Sequence, residues 1–272
     1  MTATHEDKIS PYETVRKYGK PPYKVAVLHG GPGAPGYMAP VARELSTSRG
    51  VLEPLQTKDS FEGQIEELRD QLAGHADMPV TLIGSSWGAV LALFAAARKE
   101  INIGKLILIG CAVFDAENSA KIEAIRLSRL DDEKRKRLGK INIQLNDPNN
   151  QDKSRIAAEW GDIFFYTDVY DPLTADLEVI EVQYELNVKV WSEFKLLRDR
   201  PGFLKNEFSK IDIPATVIHG DYDPHPVEGI RSFLESCLKD LRFYTLPKCG
   251  HYPWIERHAR KPFFDILKTE IP

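Results

Sequence analysis

The chain has 272 residues, 42% hydrophobic and 28% charged, enough to bury one substantial core with a smaller appendage. A net charge of −4 gives no basic excess to neutralise phosphates or anionic lipids, so nucleic acid and membrane surfaces are not expected partners. The polar start MTATHEDKIS lacks the basic and apolar regions of a signal peptide, and runs such as VLALFAAA are too short to span a bilayer, so a cytoplasmic location is expected.

In chain order, apolar runs at Tyr23 to His29, Val51 to Gln56, Val80 to Gly84 and Lys105 to Gly110 alternate with helical patterns, as in parallel βαβ units. FEGQIEELRDQL spaces Phe61, Ile65, Leu68 and Leu72 as one face of an amphipathic helix. The rhythm stops near residue 111. It resumes at Ile213 with the strand PATVIHG, a helix from Val227 to Leu238, the strand RFYTL and the amphipathic segment HARKPFFDILKTE. Residues 1–110 and 206–272 are therefore expected to form an α/β core, a mostly parallel sheet flanked by helices, and residues 111–205 an inserted helical cap. Within the insertion, DDEKRKR reads as a solvated helix face. After Asp171 and Pro172, a cap and first-turn pair, the stretch LTADLEVIEVQYELNVKVWSEF reads as one long helix. Leu177, Ile180, Tyr184, Val188 and Trp191 form its apolar stripe, widened by Val179, Val182, Leu186 and Val190; Glu178, Glu181 and Glu185 share a face with Lys189. Gln183 and Asn187 interrupt the apolar arc, so they either bond within the cap or line a pocket. Cys111, Cys237 and Cys249 are scattered, without the spacing of a disulfide framework or a zinc site, and are expected in the core.

Gly84-Ser85-Ser86-Trp87-Gly88 lies between a strand pattern and a helix pattern, the context a nucleophile elbow requires. The serine of such a turn is strained, and glycines two positions to either side let strand and helix backbones approach closely. Ahead of it, VAVLH runs into the glycine loop Gly30-Gly31-Pro32-Gly33. That loop and the residue after the nucleophile are expected to supply oxyanion-binding N–H groups, from Gly31 and Trp87. A serine hydroxyl is a weak nucleophile until a histidine takes its proton and a carboxylate fixes that histidine's tautomer. In the chain order serine, acid, histidine, the loops after two later strands offer Asp223 and His251. Asp221 competes with Asp223, but the position three after Gly220 clears the turn. His225 is expected to face the next helix and solvent, and His29 to brace the glycine loop. His5, His75, His219 and His258 show no paired ligand spacing, so no metal is proposed.

Taken together, HGGPG, GSSWG, GDYD and CGH resemble the α/β-hydrolase superfamily and, within it, the proline iminopeptidase-like branch. The resemblance covers the core, about two-thirds of the chain. It implies two-step acyl transfer by Ser86, Asp223 and His251 on a small-molecule or short-peptide substrate, with no cofactor. It also implies, in that branch, release of N-terminal proline, with acidic cap residues holding the free amine. Glu178, Glu181, Glu185 and Glu159 are the candidates for that role. Where the branch commonly has DQRGxGxS this chain has LEPLQTKDSFE, and Ser85 stands where Gly or Gln is usual, so the pocket walls differ. A general ester or amide hydrolase is the first expectation and an aminopeptidase the second. A lyase or perhydrolase with the same triad, and a silent binding protein on the same fold, are the non-hydrolase readings.

Overall fold

The computed structural model describes residues 14–272, so MTATHEDKIS and His5 lie outside the described residues. Seven strands form one sheet: β1 (Val15–Tyr18), β2 (Tyr23–Leu28), β3 (Gly50–Pro54), β4 (Val80–Ser85), β5 (Ile103–Ile109), β6 (Ala215–Gly220) and β7 (Leu241–Leu246). Their spatial order is β1-β3-β2-β4-β5-β6-β7, with β1 antiparallel to β3 and every other pair parallel. Strands buried on both faces read as continuous Val/Ile/Leu runs, and β4 and β6 are buried at every position. The helices α1 (Ala39–Ser46), α2 (Phe61–His75) and α3 (Trp87–Arg98) connect the first strands. Four more stand between β5 and β6: α4 (Ala116–Ser128), α5 (Asp132–Asn146), α6 (Lys153–Asp168) and α7 (Tyr184–Arg198). The short α8 (Phe203–Phe208) then leads back to the sheet, and α9 (Val227–Glu235) and α10 (Arg260–Glu270) complete the second flank.

One core packs α2, α3 and α7 on one face of the sheet around Leu82, Trp87, Phe94 and Phe194; another packs α1 and α10 on the other around Ile83, Ile107, Ile218 and Phe263. This is the α/β arrangement expected, and the chain between β5 and β6 is helical. All three cysteines are buried and free. Among the described residues no helix is long and apolar enough to cross a membrane.

The long helix expected after Pro172 does not form: the helix begins only at Tyr184. Residues 170–183 instead give their backbone groups to other partners. Tyr170 and Asp171 donate N–H bonds to the Glu256 carboxylate at 2.7 and 2.8 Å, and Leu173 donates to Ile255 O. Further on, Ile180 donates to Pro35 O and Gln183 to Gly33 O. The acids also separate, Glu178 pairing with Arg43 while Lys189 pairs with Asp59. The buried face of α7 is Leu186, Val190 and Phe194; Val188, assigned to the stripe, is exposed. The DDEKRKR run is an exposed face of α5, as expected.

Candidate active site

Ser86 occupies the turn from β4 into α3 with φ 53° and ψ −113°, a region that L residues rarely adopt. Its N–H donates to Ile109 O at 2.9 Å, which ties the turn to the end of β5. The flanking glycines are obligatory by contact. A Cβ on Gly84 would lie 2.2 Å from Gly88 O, and one on Gly88 would lie 2.3 Å from Leu28 O. Trp87 anchors the elbow: its indole donates to Gln64 Oε1 at 2.8 Å, and its ring meets Phe61, Trp191 and Phe194 edge-on. As the first helical residue, Trp87 has no intrahelical acceptor for its N–H. Ser85 is fully buried and Ser86 partly exposed, so of the two adjacent serines only the second meets solvent.

The glycine loop passes alongside the elbow. A Cβ on Gly30 would sit 2.7 Å from Ser86 Cβ and on top of the Tyr37 hydroxyl. Gly31 has φ +44°, and its carbonyl accepts from Ala34 N at 2.8 Å in a tight turn. His29 holds the base of the loop. Gln56 N–H donates to its Nε2 at 3.1 Å, so its other nitrogen is the donor to Gly30 O, and burial pushes this histidine down to about 4, keeping it neutral. The segment after α6 and the first turn of α7 lie over the same loop, where Asn187 on α7 donates its amide to Pro32 O at 2.8 Å. Asn187 thus takes neither of the two roles expected of the interrupting amides, bonding within the cap or lining a pocket, but bonds across to the core. Gln183 uses its backbone on Gly33 and its side-chain amide on Glu181.

Asp223 and His251 come together as expected, with Nδ1 of His251 2.7 Å from Asp223 Oδ2. His251 also packs on the end of β5: a Cβ on Gly110 would lie 3.0 Å from its Nδ1. Serine and histidine therefore bear on successive residues, Ile109 and Gly110. Asp221 turns elsewhere, its Oδ1 accepting only a long bond from Cys249 N at 3.3 Å. Burial alone would raise the Asp223 carboxyl, but His251, His225 and His219 around it hold it well below the usual carboxylate range. Burial likewise opposes charge on His251, yet the charge and hydrogen bond of Asp223, with Asp168 behind, hold it above its ordinary value.

His225 departs from expectation. It is 8% exposed rather than solvated, donates both its backbone N–H and, through Nδ1, its ring to Asp223 Oδ1 at 2.9 and 2.6 Å, and stacks on His251 with centroids 4.5 Å apart. Its sequence signal was spacing alone: it sits two residues after the acid, where an Asx turn returns to the carboxylate. Asp223, His225 and His251 bring their polar atoms within 4.8 Å of one another, and the Nδ1 of each imidazole is used as a donor to the carboxylate. Any cation there competes with the two protons the imidazoles donate to the carboxylate.

The insertion reaches the site through α4 and α6. Arg126 holds Asp168 with two hydrogen bonds, Nε to Oδ1 at 2.8 Å and Nη2 to Oδ2, and the Asp168 carbonyl accepts from His251 N at 2.7 Å. The four acids proposed to hold an amine are engaged or solvated: Glu178 pairs with Arg43, Glu159 with Arg137 and Arg155, Glu181 accepts from Gln183, and Glu185 is exposed. A groove of about 570 Å³ between the starts of α6 and α7, lined by Ser154, Arg155, Glu181 and Tyr184, touches none of the three triad positions.

Residues 25–263 match the family described as "Alpha/beta hydrolase family". No curated protein matches the chain. Among solved structures, the chain is similar to VinJ, at 17% identity and a TM-score of 0.63 over 94% of this chain and 95% of that one. It is also similar to proline iminopeptidase from Mycobacterium smegmatis, at 19% identity and a TM-score of 0.61 over 94% and 92%. The esterase EaEST from Exiguobacterium antarcticum stands alike, at 19% identity and a TM-score of 0.61 over 94% and 93%. At these identities the likeness is one of fold.

Proposed function

Because the chain belongs to the alpha/beta hydrolase family, we propose that it is a serine hydrolase that cleaves an ester or amide bond of a small substrate through an acyl-enzyme. In this reading Ser86 attacks the carbonyl, His251 takes its proton, and Asp223 holds His251 in the tautomer with Nε2 free to act as base. The N–H groups of Gly31 and Trp87 stabilise the oxyanion, and water then releases the acyl group with His251 again as base. The observation that carries the reading is the positive-φ Ser86 at the strand-helix turn, bonded to Ile109, with a histidine hydrogen-bonded to a buried carboxylate packed on the next residue, Gly110. A serine at the elbow disfavours dehalogenase and epoxide hydrolase chemistry, which call for a carboxylate there.

Within this class an acyl substrate without a required free amine ranks ahead of an N-terminal amino acid. Among the described residues the insertion's one buried carboxylate is Asp168, already neutralised by Arg126. A buried ammonium needs a paired charge. A panel of p-nitrophenyl esters and aminoacyl anilides, including proline anilide and its N-acetylated form, tests this ranking. Turnover of esters, with acetylation of an anilide changing kcat/KM little, is expected. Efficient release from proline anilide, with a loss of about 2 kcal/mol or more on acetylation, would place the aminopeptidase first.

A further inference from the structure

The Asp223 carboxylate serves two imidazoles. His251 uses Oδ2; Oδ1 takes the backbone N–H and the ring Nδ1 of His225. The backbone bond alone closes the turn at residues 223–225, so the turn does not account for an imidazole at position 225. The backbone that carries the ring is held from behind as well, because His219 Nε2 lies 3.0 Å from the His225 carbonyl oxygen and donates to it. Near-parallel stacking at 19° then holds the two rings side by side on one carboxylate. Their environments push them apart: burial takes His225 down to about 4, while Asp223 holds His251 up. At neutral pH His225 is thus a proton donor without charge, and it sets no second cation against the imidazolium that forms on His251.

We propose that His225 is a positioning residue of the triad: its ring N–H fixes the Asp223 carboxylate and draws on the charge that would otherwise fall wholly on His251, and so it lowers the basicity of His251. The inference rests on the serine hydrolase reading. The other groups facing His251 and its carboxylate are His219 on β6, Cys111 after β5, Arg126 on α4, Asp168 on α6 and Tyr252 in its own loop. None of them donates to Asp223 Oδ1, so removing the His225 ring leaves that oxygen with the backbone bond alone.

The test is the second-order rate of modification by a fluorophosphonate, followed across pH, which needs no knowledge of the natural substrate. His225→Phe and His225→Leu are two donor-free rings or chains of different shape, His225→Asn returns an N–H near the place of Nδ1, and thermal melts verify folding. The donor-free variants should react about tenfold to a hundredfold more slowly near neutral pH, the usual cost of losing a partner that orients a catalytic ligand. Their acid limb should move to higher pH by about half a unit or more, because His251 becomes the stronger base. His225→Asn should recover both. Donor-free variants that fold and keep the wild-type rate and limb would overturn the proposal, as would equal slowing in all three variants with an unmoved limb. A wild-type protein that fails to react would overturn the serine hydrolase reading itself, and the inference with it.

Discussion

Histidines 219, 225 and 251 surround the Asp223 carboxylate, whereas Asp221, two residues earlier, touches none of them. Loss of the acid should therefore be felt through the histidine. Asp223→Asn leaves the shape of the site but cannot hold the required tautomer, and kcat should fall by about 10⁴; His251→Ala should cost a comparable factor, and Asp221→Asn little. Steady-state kinetics with an ester from the panel measures all three. The pH dependence follows from the direction of the shift: His251 works as the neutral base, and Asp223 holds its folded value above 6.5. The rate should thus rise with pH through a limb above that value. A limb below it would show that burial outweighs the carboxylate at this histidine.

At the scale of elements, the elbow is a contact between three backbones, β4, α3 and the end of β2, and only glycine permits it. Gly88→Ala puts a methyl 2.3 Å from Leu28 O and should cost about 3 kcal/mol or more, read by urea unfolding. Gly74→Ala in α2 meets nothing within 4 Å and should stabilise by about 0.5–1 kcal/mol. These glycines were legible because they frame a strand-turn-helix pattern. So were the central strands, whose two buried faces leave unbroken apolar runs. Strand β1 was not: four residues, VRKY, on an edge, carry little pattern. Nor was the irregular stretch at 177–183. Its residues have helical apolar spacing, and periodicity takes no account of the carbonyls that Gly33 and Pro35 offer to its N–H groups. The same blindness hid His225, since burial of a loop histidine depends on what packs above it, here His251 and the neighbourhood of Arg126.

Over the whole molecule, the sheet places the site. The chain runs outward from β2 to β3 and then crosses back to β4, so the loops after β2 and β4 open at the switch point where ligands bind in such sheets. The glycine loop follows one strand and Ser86 the other. The opposite flank is closed by α10, whose buried Glu270 accepts from Thr216 on β6 and from Tyr244 and Arg242 on β7, and pairs with Lys105 on β5. Burial would raise this carboxyl, but Lys105, Tyr244, Thr216 and Arg242 together bring it from 4.5 to about 2. A depressed carboxyl stabilises fully above its unfolded value and ceases to do so as pH falls through its folded one. The Tm should therefore fall between about pH 4.5 and pH 2, and Glu270→Gln, already less stable at neutral pH, should lose less across that window. An equal slope in both proteins would assign the acid sensitivity to other groups.

The proposed chemistry turns on the identity of the nucleophile, and mass spectrometry of the fluorophosphonate-treated protein tests it directly. One adduct is expected, mapped by peptide fragmentation to Ser86, absent in Ser86→Ala and retained in Ser85→Ala. An adduct that survives in Ser86→Ala and disappears in Ser85→Ala would contradict it.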